Sequence, residues 1–530
     1  MRTGSTTPSY HSMRHSQVKI RTFSRGFRRL LLSAVAVGAV QGCTDLTEVP
    51  ESQISPDNYY KTSAEVLGGV AGVYSTLRDN MWGYYNLSQI TTDETIVPTR
   101  GGDWFDNGRW LEIHRQGFTP TSGATGEDIN GVWNNMWSGI AKANVVLSAL
   151  QPNSVPDQPA IEAELRALRA YYYIGLMDFF GGVPIVTNTK IEPRARTTRD
   201  SVFKFIESEL LAVRAALPAR RDLGQWGRIT QGAVDAMLVS IYVNAQVYTG
   251  TVTATGLTKG TARWNDAITV ADRLINSGTY SLASNFRANF VSNNQNSPEN
   301  IFVVRFSTLG GLGQTLNSRS LHYNSSNFGG WNGFSGLSDT YNKFDRADLR
   351  DAQWLVGPQS NLITGAPVND RAGNRLIFVP TIRDVTQATE AEGVRLYKFP
   401  VDPAVTNENQ PNDFPHYRLA EVYLSKAEAQ NELGQTAAAI ATANLVRARA
   451  FSPAKPLSTG LSQGAARSAI FDERLFELVG EAKRRQDMIR AGTFTASRQY
   501  KAETPAYKIL MPIPTGQLAT NPLLKQNPGY

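Results

Sequence analysis

Cysteine is all but missing from this chain: Cys43 is the only one in 530 residues. A single thiol rules out any intramolecular disulfide, so the fold has to hold without cross-links. Histidine is scarce as well, five in all, and only His114, His322 and His416 lie beyond residue 42. No HExxH, CxxC, phosphate-loop or GxSxG pattern occurs, which leaves metal hydrolysis, dithiol redox, nucleotide and serine-hydrolase chemistry without sequence support. No metal and no cofactor are expected. No stretch reaches the roughly 18 consecutive apolar residues of a membrane span. Acidic residues are absent from the first 42 positions, and this distorts the net charge. The 53 basic against 46 acidic residues give +7, but seven of the basic residues lie in that leader. From residue 43 onward the count is 46 against 46, so there is no electrostatic case for nucleic acid.

What the leader does contain is a basic segment (Arg2, Arg14, Lys19, Arg21, Arg25, Arg28, Arg29) followed by eleven uncharged residues, Leu30 to Val40. A basic n-region and an apolar h-region too short to cross a bilayer make a secretory signal. Val40-Gln41-Gly42-Cys43 then resembles a bacterial lipobox, in which the thiol takes a diacylglycerol and the chain is cut before it. Residues 1–42 are thus read as a lipoprotein signal peptide, and 43–530 as a single mature domain. With no span elsewhere, attachment to a membrane falls to a lipid on Cys43.

The mature chain has the 41% hydrophobic and 10% aromatic composition of a globular protein. A polar tether leads to a first helix capped at Thr62 or Ser63, with Val66, Val70, Val73 and Leu77 on one face. Residues 80–126 lose that period and read as long ordered loops. Helical spacing returns over Asp128 to Leu150, Ala160 to Phe180, Arg199 to Leu217, Ile229 to Tyr248 and Trp264 to Ile275. Residues 417–450 resemble a tetratricopeptide hairpin, with Leu433-Gly434 ending its first helix and Ala427, Ala438 and Ala443 allowing close helix approach. Between the helical blocks, 283–400 is rich in Asn, Gly and Ser with short strand-like runs, NIFVVRF and RLIFVP. The predicted fold is mostly α: tetratricopeptide-like hairpins forming a scaffold for an irregular, loop-rich insert with short strands. A helix over 471–492 closes the pattern.

Five stretches together carry a family resemblance: the Cys43 lipobox, LRALRAYYYIGLMDFFGGVPIV at 165–186, DFPHYRLAEVYLSKAEAQNELG at 413–434, DERLFELVGEAKRRQDMIRAG at 472–492 and PIPTGQLATNPLLKQNPGY at 512–530. The chain resembles the SusD/RagB family of nutrient-binding outer-membrane lipoproteins, with an N-terminal part over 45–235 and a C-terminal part over 275–530. It departs from the family's Glu-Gly-x-Arg-Trp-x-Asp-Leu, reading Glu481-Ala482-Lys483-Arg484-Arg485-Gln486-Asp487-Met488. The resemblance implies a lipid-anchored protein of the outer membrane that binds without catalysing. Its implied partners are a SusC-like TonB-dependent transporter and an oligosaccharide or a peptide ligand. A rival reading is a tetratricopeptide-like scaffold for a protein or peptide, and a third is a glycosidase.

For the glycosidase the best carboxylate pair is Asp93-Glu94, but adjacent residues seldom face each other across a bond. Glu473, Arg474, Glu477, Glu481, Arg484 and Asp487 recur three or four apart and read as an ion network along one helix face. A sugar ring presents C–H groups on its face and hydroxyls at its edge, so a binding site wants flat aromatics with polar groups at the rim. DWFDNGRW at 103–110 and NFGGWNGF at 327–334 offer both. The candidate ligand-binding residues are Trp104, Trp331, Trp110, Asp93, Arg100 and Tyr84, read with Trp82 and Tyr85 as loop residues. Trp133, Trp137 and Trp264 fall on helical faces and read as core.

The lipid reading is checked by fatty-acid labelling. Cys43→Ala should abolish incorporation of a clickable fatty acid and leave an unprocessed precursor, whereas labelling that survives the substitution would dismiss the anchor.

Overall fold

The structure is a computed structural model that describes residues 59–152 and 155–530. The signal peptide, Cys43 and the tether lie outside the described residues. Eleven helices carry the architecture. They are α1 (Ser63–Gln89), α2 (Arg109–His114), α3 (Asn130–Ala149), α4 (Gln158–Phe180), α5 (Arg199–Val213), α6 (Gln231–Val243), α7 (Trp264–Asn276), α8 (Leu419–Glu432), α9 (Thr436–Arg447), α10 (Gln463–Leu478) and α11 (Arg484–Ala491). They stack in pairs: α1 on α3, α3 on α4 and α4 on α5, then α6 on α7, α7 on α8, and α8 on both α9 and α10. Tetratricopeptide-like helical layering is the fold, and the irregular insert sits on it.

Strands are few and short. The longest pair, β1 (Asn300–Val304) and β2 (Phe414–Arg418), is antiparallel, with Phe414 opposite Val304 and Arg418 opposite Asn300. All ten residues are buried, as expected of a ribbon covered on both faces. His416 falls at a register shift between Pro415 and Tyr417, and its ring is turned onto Tyr171 at 4.9 Å. RLIFVP contributes only Ile377–Phe378, paired with Gly357–Pro358.

Helix α1 opens on a capping box: Glu65 N–H donates to the Thr62 hydroxyl, and Thr62 N–H donates to the Glu65 carboxylate at 2.9 Å. It runs ten residues past the loss of amphipathic period, so Trp82, Tyr84 and Tyr85 are helical and not in loops. The period fades because this end is packed on nearly every side: of residues 80–89 only Trp82 is exposed. Gly83 makes the approach possible, since a Cβ there would sit 2.9 Å from the Asp128 carbonyl. The expected loop stretch further contains α2 and a helical turn at Thr125–Ile129.

The hairpin α8–α9 turns at Leu433 and Gly434, whose φ of +78° suits glycine. Ala427 and Ala443 are fully buried, but Ala438 points outward and Ala439 takes the contact. Trp133 is buried, while Trp137 and Trp264 are half-buried at the edge of the core.

The expected single helix over 471–492 is two. It breaks at Val479–Lys483, where Gly480 and Ala482 take φ of +80° and +61°. The cause is electrostatic. Glu481 leaves the helix to pair with Arg418 at 2.6 Å and with Lys398, whose ammonium donates to the carbonyls of Glu477 and Val479 that the break frees. The expected ion network along one helix face is mostly a buried network between elements. Arg350 reaches Asp348, Glu473 and Glu477 at 2.7–2.8 Å. Arg418 reaches Glu299, Glu477 and Glu481 at 2.5–2.8 Å. Arg449 binds Glu477 and Glu299, and Arg447 binds Glu473. Burial alone would raise Glu477's pKa, but Arg449, Arg418 and Arg350 overcome it and hold the carboxyl well below its ordinary value.

Removing one partner from such a cluster leaves a buried charge unmatched. Glu477→Gln should cost about 3–5 kcal/mol in urea unfolding, whereas Lys343→Ala, which breaks the exposed pair with Asp472, should cost less than about 1 kcal/mol. Equal costs for the two variants would mean that the cluster does not organise the fold.

Candidate functional site

Four tryptophans and a phenylalanine from three parts of the chain form one aromatic group. Trp82 comes from α1, Trp104 and Trp110 from the segment entering α2, and Trp331 and Phe334 from the insert. Ring centroids lie 5.4 Å apart for Trp104 and Trp110, 5.8 Å for Trp110 and Phe334, and 6.4 Å for Trp331 with both Trp82 and Trp104. These are edge or tilted contacts, the favoured aromatic geometry. Exposure is graded. Trp110 and Phe334 are buried, Trp104 and Trp331 are half-buried, and Trp82 is 37% exposed, with Phe105 beside Trp104 in sequence at 56%. A buried aromatic floor therefore carries an open aromatic top.

Three of the four indole N–H groups are already used within the protein. Trp104 Nε1 donates to the Trp331 carbonyl at 2.7 Å, Trp110 Nε1 to the Asp106 carboxylate at 2.5 Å, and Trp331 Nε1 to Glu408 at 3.0 Å. The rings are pinned, and what they offer outward is carbon surface. Arg319 lies flat on Trp82 at 4.1 Å and donates to the Asn86 side chain, and Arg109 lies on Trp110 at 4.2 Å.

The backbone here is strained. Trp104, Asp106 and Asn107 have φ of +63°, +37° and +54°, and across the site Asn332 has +50°. Such residues cost about 1–3 kcal/mol each and persist only where surroundings over-determine them. Asn332 is fully buried, and its side-chain oxygen accepts from Arg395 at 2.8 and 3.2 Å. Trp104 is seated against Gly333, where a Cβ would come within 2.3 Å of the indole. On the flank, Tyr323 donates to Asp103, while Arg371 bridges Asp103 and Glu390.

The structure brings together Trp104, Trp331 and Trp110 and leaves the other three candidates elsewhere. Trp110 is floor, on α2 at 1% exposure, and offers a ligand nothing directly. Tyr84 is buried on α1 against Phe179 and His416. Both oxygens of Asp93 accept from Arg484 at 2.8 Å. Arg100 is a buried clip that donates to the carbonyls of Thr389 and Glu392 and to the Ser335 hydroxyl. Sequence reading missed Trp82 as a helix residue, and it missed Arg319 and Glu408 entirely. Nothing local in the sequence marks those two, whose partners lie 237 and 77 positions away in the chain.

Asp93 and Glu94 make no acid–base pair. Burial would raise Asp93, but the Arg484 guanidinium keeps it low. Burial pushes Glu94 up to about 8, although Arg484 lies near, and its carboxyl accepts the Gly480 N–H at 3.2 Å. A cavity of about 470 Å³ lies elsewhere, beside α7, α8, α10 and α11, with Trp264 and Phe471 in its walls. Charges in its wall are committed to ion pairs: Arg490 to Glu428 of α8 at 2.7 Å and, within α11, to Asp487 at 2.8 Å, while Arg474 of α10 also binds Asp487. Among the described residues no group of three or more His, Cys, Asp or Glu is placed to hold a metal. No helix among them is long and apolar enough to cross a membrane.

Tetratricopeptide-like helical layers carrying an irregular insert, with an aromatic group where α1, the segment entering α2 and the insert meet, define the class of fold. This chain belongs to the SusD/RagB family. The profile of the SusD family matches residues 298–530, and that of "Starch-binding associating with outer membrane" matches residues 80–243. Among similar proteins are SusD-like protein P25 of Formosa agariphila, 25% identical across 92% of this chain and 96% of its own length, and the starch-binding protein SusD of Bacteroides thetaiotaomicron, 23% identical across 87% and 86%. Among solved structures, surface glycan-binding protein A from Bacteroides thetaiotaomicron, in complex with laminarihexaose, superposes with a TM-score of 0.70 at 22% identity, covering 88% of this chain and 100% of that one. A SusD-like protein from Bacteroides fragilis gives a TM-score of 0.73 at 19% identity, covering 91% and 100%.

Glu94 still leaves a trace in stability. Its ordinary value is 4.5 and its folded value about 8, so between those limits the native state holds a proton that the unfolded chain has lost. Stability conferred by this position falls as pH rises through that window. Glu94→Gln lacks the effect, so its melting temperature should gain on wild type from pH 5 to pH 8. Parallel melting curves over that range would place the carboxyl in a wetter environment than its burial implies.

Proposed function

We propose that this protein is an outer-membrane lipoprotein, anchored through Cys43 and exposed at the cell surface, whose mature chain works as one domain that captures an oligomeric glycan on Trp82, Trp104 and Trp331. Delivery then follows to a SusC-like TonB-dependent transporter. The observation that carries the reading is the graded aromatic platform. Its floor is buried, its top is open, the N–H groups of Trp104, Trp110 and Trp331 are satisfied internally, and its backbone is held in conformations that need outside support. Such a surface meets the C–H face of a sugar ring by dispersion and hydrophobic contact, and its fixed rings lose little entropy on binding. The names of the similar proteins, which mention starch and laminarihexaose, point the same way. Binding without catalysis fits as well, because the nearest acid pair by sequence, Asp93 and Glu94, is consumed by Arg484 and by burial. A second reading, a peptide-binding scaffold, has one observation in its favour: the 470 Å³ cleft among the helices of the tetratricopeptide-like layer.

Calorimetric titration against a panel of oligosaccharides separates the two. Trp82→Ala and Trp331→Ala should each weaken binding by about tenfold, corresponding to roughly 1.4 kcal/mol. Trp82→Ala should leave the melt close to wild type, because that ring is the most exposed of the group. Trp110→Ala should instead cost about 3–5 kcal/mol of stability as a core truncation. Wild-type protein that binds none of the panel, or surface variants that melt early with affinity unchanged, would return the site to packing and put the cleft first.

A further inference from the structure

The charges that surround the aromatic platform are lopsided, and their arrangement decides what kind of glycan can lie on it. Three cations touch the platform or its flank. Arg109 is stacked on Trp110 and paired with Asp128 at 3.1 Å and with Glu127. Arg319 is 4% exposed, sealed beneath Trp82 with its Nη1 on Asn86. Arg371 is half-exposed, but its charge is shared between Asp103 at 3.2 Å, through Nη1, and Glu390, through Nε. Each of the three is paired with a carboxylate or sealed from solvent.

The carboxylates outnumber them. Beyond the four just named stand Asp106 and Glu408, each accepting an indole N–H. Of these six carboxylates, Asp106 and Glu408 have no cation against them. Both are exposed, so these two charges are carried at the surface, while the guanidinium groups of Arg100 and Arg395 are buried beneath the platform. His322 does not redress the balance. Its Nε2 lies 2.8 Å from Glu390, and burial holds its pKa below the ordinary value, so it is neutral at pH 7. Two of the acids sit at the open rim: Glu408 is exposed, and the Glu127 side chain is 67% exposed. The chain from residue 43 onward has as many basic as acidic residues, so this acidity belongs to the site and not to the protein as a whole.

We propose that the platform selects uncharged glycans and rejects polyanionic ones, uronate or sulfate polymers, through the unmatched carboxylates Glu408 and Asp106 at its edge, with Glu127 and Asp103 beside them. The inference rests on the platform being the glycan site. A neutral sugar takes its face from the tryptophans and offers its hydroxyls to the remaining acceptor oxygens of Glu408 and Asp106. A polymer with one negative charge per residue meets like charge within a Debye length, about 8 Å at physiological salt. Anion-binding sites are built from unpaired Arg and Lys, and the three cations on the rings and their flank are paired or sealed.

The test uses matched ligands on the purified protein. Gluco-oligosaccharides of α-1,4, β-1,4 and β-1,3 linkage are titrated calorimetrically beside their C6-oxidised counterparts, which differ only in carrying a carboxylate on each ring. The better neutral ligand should bind at least tenfold more tightly than its oxidised form at 20 mM salt, with the gap narrowing at 500 mM as screening grows. Glu127→Gln should narrow the gap at low salt, and Glu408→Lys should raise affinity for the oxidised ligand, with melting curves confirming that both variants fold. Oxidised ligands binding as tightly as neutral ones, or more tightly, would overturn the charge selection while leaving the platform a glycan site. Neither set binding would overturn the platform reading and the selection with it.

Discussion

Glu477 has three arginines around it and no exposed surface. Arg350, Arg418 and Arg449 reach its two oxygens, and each of those arginines has a further carboxylate of its own. Counted outward, the network holds five cations (Arg350, Lys398, Arg418, Arg447, Arg449) and five carboxylates (Glu299, Asp348, Glu473, Glu477, Glu481). A buried ionic cluster of this kind is weak evidence for stability, because desolvation offsets much of the attraction. What it supplies is register. Glu299 leads into β1, Asp348 and Arg350 belong to the insert, Arg418 ends β2, Arg449 follows α9 and Glu473 sits on α10. Any slip of one element strands a charge in a dry interior, at a cost the protein's narrow stability margin does not allow. The irregular insert has no sheet or long helix to fix it, and these pairings attach it to the helical layer instead.

The same logic explains how the aromatic platform can be made from strained, irregular chain. Trp104 and Asn332 hold positive φ without being glycine, and isolated loops would relax. They do not relax because each is tied from outside: Asn332 by Arg395, which also donates to the carbonyls of Glu390 and Glu392, and Trp104 by the Trp331 carbonyl and the gap over Gly333. Arg395 has no carboxylate in these contacts, only amide and hydroxyl oxygens, and burial lowers its pKa well below the usual arginine value. Carbonyls rather than carboxylates around Arg100 and Arg395 let the insert bury two guanidinium groups without adding negative charge beneath the platform.

The helices were legible because their apolar residues recur at three and four, and because caps and glycines punctuate them; α4, α7 and the α8–α9 hairpin fall within two or three residues of their predicted limits. The far end of α1 was not legible, since a helix buried on nearly all sides loses the amphipathic contrast on which periodicity depends. The break between α10 and α11 was hidden for a different reason. Only Gly480 hints at it, while its cause, Lys398 and Arg418 drawing Glu481 out of the helix, comes from 63 and more positions away. Of the site, loop composition pointed to Trp104 and Trp331, because aromatic residues among Gly, Asn and Asp have few other uses. It could not separate the platform's floor from its top: Trp110 and Trp104 share one segment and differ only in which side the chain turns, a difference set by the positive φ values between them.

Because helix and insert meet at Arg319, the platform joins the two parts of the fold. Its guanidinium covers Trp82 of α1 and lies within 6 Å of Phe334 in the insert and of Tyr85 one turn further along the helix. Trp82 is the most exposed member of the group and the only one carried by a long helix, while Trp331 and Trp104 depend on the loops. Trp82 and Trp331 therefore stand on two separately supported elements whose relative position is fixed by Arg319 packed on Trp82 and Phe334 and by the ion cluster behind. Affinity in such an arrangement comes from not having to order the site, which is where flexible loops lose most of theirs. The cost of that order is met when the chain folds, by the buried charges behind the platform and by the strained backbone of Trp104, Asp106 and Asn107 within it.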